Sequence, residues 1–246
     1  MSQALFSAAS GATYHEKRLD ILANNLSNIN TAGFKQDRLI FRVPKEKPTG
    51  VEDSKVMTSL YAPAPLPSGT TIDFTQGDLK HTDHPLDLAL DGSGFFCIQS
   101  PDGRQYTRNG SFALNQEGVL VTKAGYPVEG EGGTITISGQ DVRIDESGTV
   151  YADGAPVGAI KVVRVLDLHN LRKMGETMFA PSQREAREVK SEDAMVKQGF
   201  IEMSNVNGLR AMTEMIDVMR GYESYQKVIQ HLDDVTRRAI TDVGKL

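Results

Sequence analysis

Two histidines and their acidic neighbours are the residues of this sequence best suited to bind a metal ion. His81 and His84 lie three residues apart, and Asp83 and Asp87 add carboxylates nearby. Imidazole and carboxylate groups are common ligands of zinc and other first-row metals. In a predicted strand or turn, however, this spacing separates the two rings, and Pro85 follows directly. We therefore predict that these residues hold no metal.

Three aspartates in the same region could serve as the carboxylates of a sugar-cleaving enzyme. With Asp83, Asp87 and Asp91 in that role, the chain would act on the cell wall, and this remains the enzymatic alternative. No sequence pattern pairs a nucleophile with a base. Gly92-Ser-Gly94 lacks the third glycine of a dinucleotide fingerprint and precedes a strand instead of a helix. The sequence therefore predicts no catalytic residue and no cofactor.

The composition excludes several other classes of protein. The chain has 246 residues, with 27 Lys and Arg against 32 Asp and Glu, so it lacks the basic excess of a nucleic-acid-binding surface. The single cysteine, Cys97, excludes an internal disulfide, and its apolar neighbours predict that it is buried. No apolar run approaches about 18 residues, and no cleavable signal is visible, so no membrane span is expected.

An apolar residue recurs every three or four positions near the N-terminus. The alternating steps are those of a heptad repeat, which predicts a helix from Ser2 to about Asn28. The stripe, here called the N-terminal seam, consists of Leu5, Ala8, Ala12, His15, Leu19, Leu22, Leu26 and Ile29. Seven of these eight residues are apolar, so we expect the helix to pack through this stripe.

The predicted helix ends in a run of polar residues rich in asparagine. Asparagine and glycine tolerate the left-handed conformation that ends helices, and amide side chains do not titrate. Capping and turn formation is one expected role, and hydrogen bonding between subunits is the other. This helix-end motif consists of Asn24, Asn25, Asn28, Asn30, Thr31, Gly33 and Phe34.

A second long helix is predicted at the C-terminus from the same spacing. Ser204 or Asn205 is a suitable N-cap, and Glu223 with Lys227 forms one of several acid-to-base pairs four residues apart. The C-terminal seam consists of Leu209, Met212, Ile216, Met219, Tyr222, Tyr225, Ile229 and Leu232. Both seams are too narrow for the core of a large domain. We therefore expect the helices to form a coiled-coil-like pair and to pack on helices of other copies.

The middle of the chain alternates apolar and polar residues and contains frequent turn signals. Leu86 to Leu90 alternates, and Pro101-Asp-Gly103 and Asn109-Gly110 are typical of hairpins. This pattern predicts a central antiparallel β domain and hence an α+β fold class. We expect residues from about 70 to 182 to fold alone.

The predicted domain organisation has four parts. Residues 1–36 and 200–246 form a terminal helical assembly domain, and residues 75–182 form the central β domain. Residues 37–74 are an extended connector, because five prolines between positions 44 and 67 exclude a helix. Residues 183–199 are a linker, because they carry a dense run of mixed charges.

Five ordered motifs cover both ends and the middle of the chain. They are Ala23 to Lys35, Gly77 to Lys80, Leu86 to Phe96, Tyr106 to Phe112 and Gln198 to Asn207, followed by Met215-Ile216 and Arg220 to Glu223. In these motifs the chain resembles the bacterial flagellar rod and hook proteins. Gly221 departs from the resemblance, because an Arg-Ala-Tyr-Glu motif would have alanine at this position.

The resemblance implies a non-enzymatic structural subunit of the flagellar basal-body rod. Such a subunit polymerises axially through its terminal helices into the shaft that transmits motor torque for motility. The modest length and the modest central domain resemble the rod proteins and not the longer hook protein. Within the rod proteins the likeness favours the proximal type, with the distal rod proteins as the alternative. The implied partners are other rod subunits, further copies of the chain and, during secretion, the flagellar type III export apparatus. The implied location is the basal body, where the rod crosses the periplasm, reached without a cleaved signal peptide.

Overall fold

The computed structural model describes residues 2–42, 66–175, 177–182, 186–191 and 193–243, which group into two compact units. The helical unit comprises the described parts of residues 1–26, 37–71 and 208–246. The β unit comprises residues 27–36 and the described parts of 72–207. Two long terminal helices and a central antiparallel β region thus give the predicted α+β class. Most of the proline-rich connector, residues 43–65, lies outside the described residues.

The helical unit contains the bodies of both terminal helices. Helix α1 spans Ser2–Ser27 and α2 spans Gly208–Val243. Strands β1 (Asp37–Arg42) and β2 (Leu66–Ile72) form a two-stranded sheet. A heptad-like stripe on each helix explains why both form here, since isolated helices need a packed face for stability.

Helices α1 and α2 run antiparallel where they meet. Arg18 of α1 forms an ion pair with Glu214 of α2. One turn earlier on α1, the ring of His15 lies 5.4 Å from that of Tyr225, which is further along α2. Residue numbers therefore rise on α1 as they fall on α2. Regular coiled-coil packing is not established by these contacts and stays a prediction.

The β unit is built from short strands joined by tight turns. The strands are β3 (Leu79–His81), β4 (Leu88–Asp91), β5 (Phe95–Ser100), β6 (Gly103–Thr107), β7 (Phe112–Leu114), β8 (Leu120–Thr122), β9 (Glu129–Gly130), β10 (Gly133–Thr134), β11 (Val142–Ile144), β12 (Thr149–Ala152), β13 (Ala155–Ala159), β14 (Val162–Val165), β15 (Leu171–Met174), β16 (Met178–Pro181), β17 (Glu188–Lys190), β18 (Met195–Gln198) and β19 (Phe200–Glu202). A 3₁₀ helix spans Leu168–Asn170.

All strand pairings in the β unit are antiparallel. The largest sheet has six strands in the order β15-β16-β6-β5-β14-β17, and a second has the order β11-β12-β13. Four further pairs are β18-β4, β19-β3, β7-β8 and β10-β9. The predicted turn at Pro101-Asp-Gly103 joins β5 to β6 as a hairpin.

Strand β5 lies at the centre of this unit with both faces covered. Successive side chains of a strand point to opposite faces, so alternate residues enter different cores. Phe96 and Ile98 belong to one buried cluster, whereas Phe95 and Cys97 belong to another that also contains Phe179. Burial on both faces explains why β5 is apolar at four consecutive positions.

The structure changes the predicted domain boundaries. Residues 27–36 and 200–207, predicted to belong to the helical assembly domain, group with the β unit. Residues 37–42 and 66–71, predicted to belong to the connector, group with the helical unit. The reason is tertiary, because strand pairing and buried contacts, not helical periodicity, decide where these segments pack.

The prediction of a linker at 183–199 is wrong for its described residues. Strand β17 pairs with β14, and β18 pairs with β4. Val196 of β18 is buried in the core cluster that contains Leu90. The charged residues misled the prediction, because a strand with one covered face carries its polar side chains on the other face.

The hairpin predicted at Asn109-Gly110 is also absent from the described strands. Strand β6, which precedes it, pairs with β5 and β16, whereas β7, which follows it, pairs with β8. The carbonyl of Gly110 instead accepts a hydrogen bond of 2.9 Å from the Leu88 amide. Glycine is needed here because the backbones of two segments approach each other closely.

Cys97 is the basis of a first prediction. Burial is the main cause that raises the pKa of its thiol from 9.0 to about 12, with Glu188 and Glu129 contributing. The raised pKa stabilises the fold fully below pH 9.0, and this contribution is lost as the pH rises towards 12. Between about pH 8 and pH 10.5, we expect the free energy of unfolding of wild type to fall by about 2 kcal/mol more than that of Cys97→Ala. Urea unfolding at both pH values measures the difference, and parallel pH profiles would contradict the prediction.

Candidate assembly surface and its buried anchor

The chain turns sharply after α1 and enters the β unit. The Thr31 amide donates to the Asn28 carbonyl at 3.1 Å, and the Phe34 amide donates to the Thr31 carbonyl at 3.3 Å. Gly33 has a φ of 72°, the left-handed conformation that favours glycine after a helix. Phe34 and Lys35 follow and are both buried. The turn thus delivers an apolar ring and a charged side chain into the interior.

Two asparagines of the helix-end motif are used within the chain. The Asn25 side chain exchanges two hydrogen bonds of 2.9 Å with the backbone of Asp37 at the start of β1. The Asn28 amide oxygen accepts a hydrogen bond of 3.1 Å from the Thr31 hydroxyl. Both asparagines are buried, whereas Asn24 and Asn30 are exposed. The expected bonding between subunits remains a proposal for the exposed pair.

Three buried charges lie together inside the β unit. The Lys35 ammonium lies 2.5 Å from Glu202 Oε1, and Arg108 Nη1 lies 3.1 Å from Glu202 Oε2. The side chains of Lys35 and Glu202 are fully buried, and that of Arg108 is 5% exposed. One carboxylate therefore faces two cations away from water. We call Lys35, Arg108 and Glu202 the buried anchor.

Backbone groups complete the coordination of these charges. The Gly77 amide donates to Glu202 Oε1 at 3.0 Å, and the lysine ammonium donates to the Thr75 carbonyl at 2.6 Å. The guanidinium donates to the Gly92 carbonyl at 2.8 Å and lies 5.4 Å from the centre of the Phe95 ring. Such bonds reduce the cost of burying charge, although among the described residues the guanidinium Nε finds no hydrogen-bond partner.

The buried anchor brings together all five motifs noted in the sequence. The motifs contribute, in chain order, Lys35, Gly77, Gly92, Arg108 and Glu202. Burial lowers the pKa of Lys35 and of Arg108, and the Glu202 carboxylate opposes the shift in both cases. The cations are therefore held charged by a shared anion against a cost of desolvation. Chemically, the arrangement fastens segments together and offers no exposed reactive group.

Asn205 forms hydrogen bonds with two segments of the chain, one that follows α1 and one that follows β2. Its side-chain oxygen accepts a hydrogen bond of 2.9 Å from the Gln36 amide, and its side-chain nitrogen donates to the Asp73 carbonyl at 2.9 Å. The predicted N-cap at Ser204 or Asn205 is wrong, because helix α2 begins only at Gly208. The side-chain amide of Asn205 is used in this junction instead.

The N-terminal seam is largely covered along α1. Ala8 and Leu22 are buried. Most of its other residues are partly buried, namely Ala12, His15, Leu19, Leu26 and Ile29. Leu5 is exposed at the start of the helix, beside Phe6, which is 71% exposed. An uncovered apolar site therefore remains at the start of α1.

The C-terminal seam divides between two faces of α2. Tyr222, Ile229 and Leu232 are partly covered, in line with the buried residues Ala211 and Val218. The first four predicted residues instead form an exposed apolar stripe, which consists of Leu209, Met212, Ile216 and Met219. Against the described residues these four side chains are not packed, because a neighbouring face of the helix is turned inward.

Among the residues considered for metal binding and catalysis, His81 and Asp83 lie together, whereas Asp91 pairs with a lysine. His81 packs its ring 4.6 Å from that of Phe200 and lies 3.4 Å from Asp83. Asp91 pairs with Lys197 at 2.7 Å. Across the described ranges, no three His, Cys, Asp or Glu residues are grouped so that they could hold a metal ion. In the same ranges, no helix has the length and apolar character needed to cross a membrane.

Sequence reasoning missed the buried anchor, although a signal was present. Lys35 and Glu202 each stand beside a large apolar residue within a motif, in Gly33-Phe-Lys35 and Phe200-Ile-Glu202. Charged residues are almost never fully buried unless they are paired. A charge inside an apolar motif therefore calls for an opposite charge elsewhere in the chain, which the motifs do supply.

Paired terminal helices with an apolar stripe exposed on one of them are features of a structural protein that assembles with other subunits. Three family models match the chain. They are flagella basal body rod protein at residues 5–35, flagellar hook protein FlgE/F/G D1 domain at 89–152, and flagellar basal body rod FlgEFG protein C-terminal at 197–242.

Relatives match over the whole chain. Flagellar basal-body rod protein FlgF of Caulobacter vibrioides is 35% identical, covering 100% of both chains. Flagellar basal-body rod protein FlgF of Salmonella typhimurium is 33% identical over 97% of each chain, and FlgG of Bacillus subtilis is 33% identical over 98% of each. The chain belongs to the flagellar basal-body rod protein family, and it is a structural protein of that family.

Proposed function

We propose that the chain is a proximal rod subunit of the FlgF type, which assembles axially through the exposed stripe of α2. The full-length similarity to FlgF of Caulobacter vibrioides supports the proximal type. The distal rod subunit is the alternative, supported by the similarity to FlgG proteins. In either role the rod transmits motor torque, and the subunit needs contacts that resist sliding and twisting.

The exposed stripe is the observation that carries the proposal. Leu209 is 80% exposed, and Met212, Ile216 and Met219 are each about half exposed. Their steps of three, four and three place them on one face over about 15 Å of helix. Contiguous exposed apolar surface typically marks an interaction site. Methionine side chains adapt to irregular surfaces, which suits contact with neighbours that differ slightly.

The proposed occupant of the stripe is a helix of a neighbouring rod subunit. Leu5 and Phe6 form a second exposed apolar site at the start of α1. Because the helices are antiparallel, this site and the stripe lie towards opposite ends of the helical unit. Contact between two different surfaces is heterologous, and it builds an open helical assembly when the rotation does not close. A head-to-tail contact of this kind gives axial growth.

The proposal also covers how the subunit is exported and where it acts. The rod subunit would pass unfolded through the flagellar export apparatus and act where the basal body crosses the periplasm. A chain that is exported unfolded cannot carry a stable disulfide, and a sequence with one cysteine forms no disulfide within itself. An assay of peptidoglycan turnover tests the enzymatic alternative. Turnover by the purified chain would favour a cell-wall enzyme over the structural role.

Substitution of Ile216 tests the assembly surface. We expect Ile216→Asp to abolish motility and rod incorporation, because a carboxylate in a packed apolar contact costs several kcal/mol. The thermal transition of the β unit should stay unchanged, since Ile216 lies in the helical unit and is exposed. Motility of complemented cells and recovery of the protein with basal bodies are the measurements.

Ser224→Asp is the matched control, because it places the same charge on an exposed position of α2 outside the stripe. It should leave motility normal. Secretion of both variants is measured in parallel to separate export from assembly. Normal motility of Ile216→Asp, with the protein incorporated, would contradict the assembly role of the stripe.

A further inference from the structure

Each terminal helix places a side-chain ring against a glycine of the other helix. Gly221 of α2 faces His15 of α1, and Gly11 of α1 faces Tyr225 of α2. A Cβ atom on Gly221 would lie 2.5 Å from Cε1 and 2.9 Å from Nδ1 of His15. These distances are shorter than real side-chain contacts, so the imidazole occupies the space that a side chain at position 221 would need.

The imidazole of His15 is held in this space from several directions. Its ring lies 5.0 Å from that of Tyr14 and 5.4 Å from that of Tyr225, and it forms a hydrogen bond with the backbone of Val218. Nδ1 is buried, and among the described residues it has no hydrogen-bond partner. Burial, followed by the nearby Arg18, lowers the pKa of the ring. Moving the ring aside would break these contacts.

Glycine within a long helix requires a physical reason. It is less favourable than alanine in a helix interior because it loses more backbone entropy. After its first residue, Gly208, helix α2 has glycine at position 221 alone. A shift of the helices by one turn would therefore bring His15 against a residue with a Cβ atom.

We propose that His15 and Gly221 are a matched pair that sets the register and the spacing of α1 on α2. Gly11 and Tyr225 are the counterpart one turn away, with the glycine and the ring exchanged between the helices. Together the two contacts determine which face of α2 is turned inward. They are positioning residues within the chain, and this inference stands whether or not the exposed stripe binds a neighbour.

A double substitution in the full chain tests the pair through the sign of its effect. In the wild-type background, we expect Gly221→Ala to accelerate hydrogen exchange of neighbouring α2 amides about tenfold, because the new methyl group displaces the ring. In the His15→Ala background, the same substitution should slow exchange about fivefold, because alanine favours the helix and the space is free. Loss of the helical circular-dichroism signal on heating should follow the same order.

Ser224→Ala is the matched control, because Ser224 is exposed and should respond with the same sign in both backgrounds. Slower exchange for Gly221→Ala in both backgrounds would overturn the pairing. If the helices are unpaired in solution and the variants do not differ in hydrogen exchange, a motility assay tests the pairing instead. Gly221→Leu should then stop swimming and His15→Ala should partly restore it, and normal swimming of Gly221→Leu would overturn the inference. Failure of Ile216→Asp to affect motility bears only on the stripe.

Discussion

Glu202→Gln is expected to lower the free energy of unfolding of the β unit by about 3 to 5 kcal/mol. The substitution keeps the shape of the side chain but removes the one anion that faces both Lys35 and Arg108. Two cations would then remain in the interior without the carboxylate that pairs with both. Urea unfolding of the full chain, followed by circular dichroism, measures the loss.

Glu131→Gln is the matched control for this result. It breaks an exposed pair with Lys190, and such surface pairs contribute about 0 to 1 kcal/mol. Lys35→Met should cost less than Glu202→Gln, because the Arg108 and Glu202 pair stays intact. Similar losses for Glu202→Gln and Glu131→Gln would contradict the role of the buried anchor.

A fragment of residues 70–182 is expected not to fold cooperatively, contrary to the expectation from sequence. The fragment lacks β18, which pairs with β4 and places Val196 in the core, and it lacks β17, which pairs with β14. It also lacks Glu202, so Arg108 would be buried without an anion. A fragment of residues 27–207 contains all of these groups and should unfold in one cooperative transition.

Reactivity of Cys97 provides the measurement for this comparison. Its thiol is buried and has a raised pKa, so alkylation requires opening of the fold. We expect fast alkylation in the 70–182 fragment and protection by a factor of at least about 100 in the 27–207 fragment. Full chain serves as the reference for complete protection. A protected thiol and a sharp urea transition in the 70–182 fragment would show that the C-terminal strands are dispensable.

The helices and several strands could be predicted from the sequence because their signals are local. The stripe of α1 and the alternation from Leu86 to Leu90 repeat within a few residues, so neighbouring positions report the structure directly. The prediction of a hairpin at Asn109-Gly110 was wrong because glycine is also required where two backbones approach closely. The prediction of a linker around Val196 was wrong because a strand with one covered face and a charged linker have similar compositions.

By itself, the sequence determined the class of fold, the two terminal helices and the motifs that carry the family resemblance. Tertiary structure alone decided which face of α2 is covered, because Ala211 and Val218 are spaced as a helical stripe just as Ile216 and Met219 are. It also decided the buried anchor, since Glu202 lies 167 residues from Lys35 and 94 from Arg108. From sequence alone, a charged residue predicts an exposed position, because its counter-charge becomes a neighbour only in the folded chain. Local periodicity carries no information about a partner so distant in the sequence.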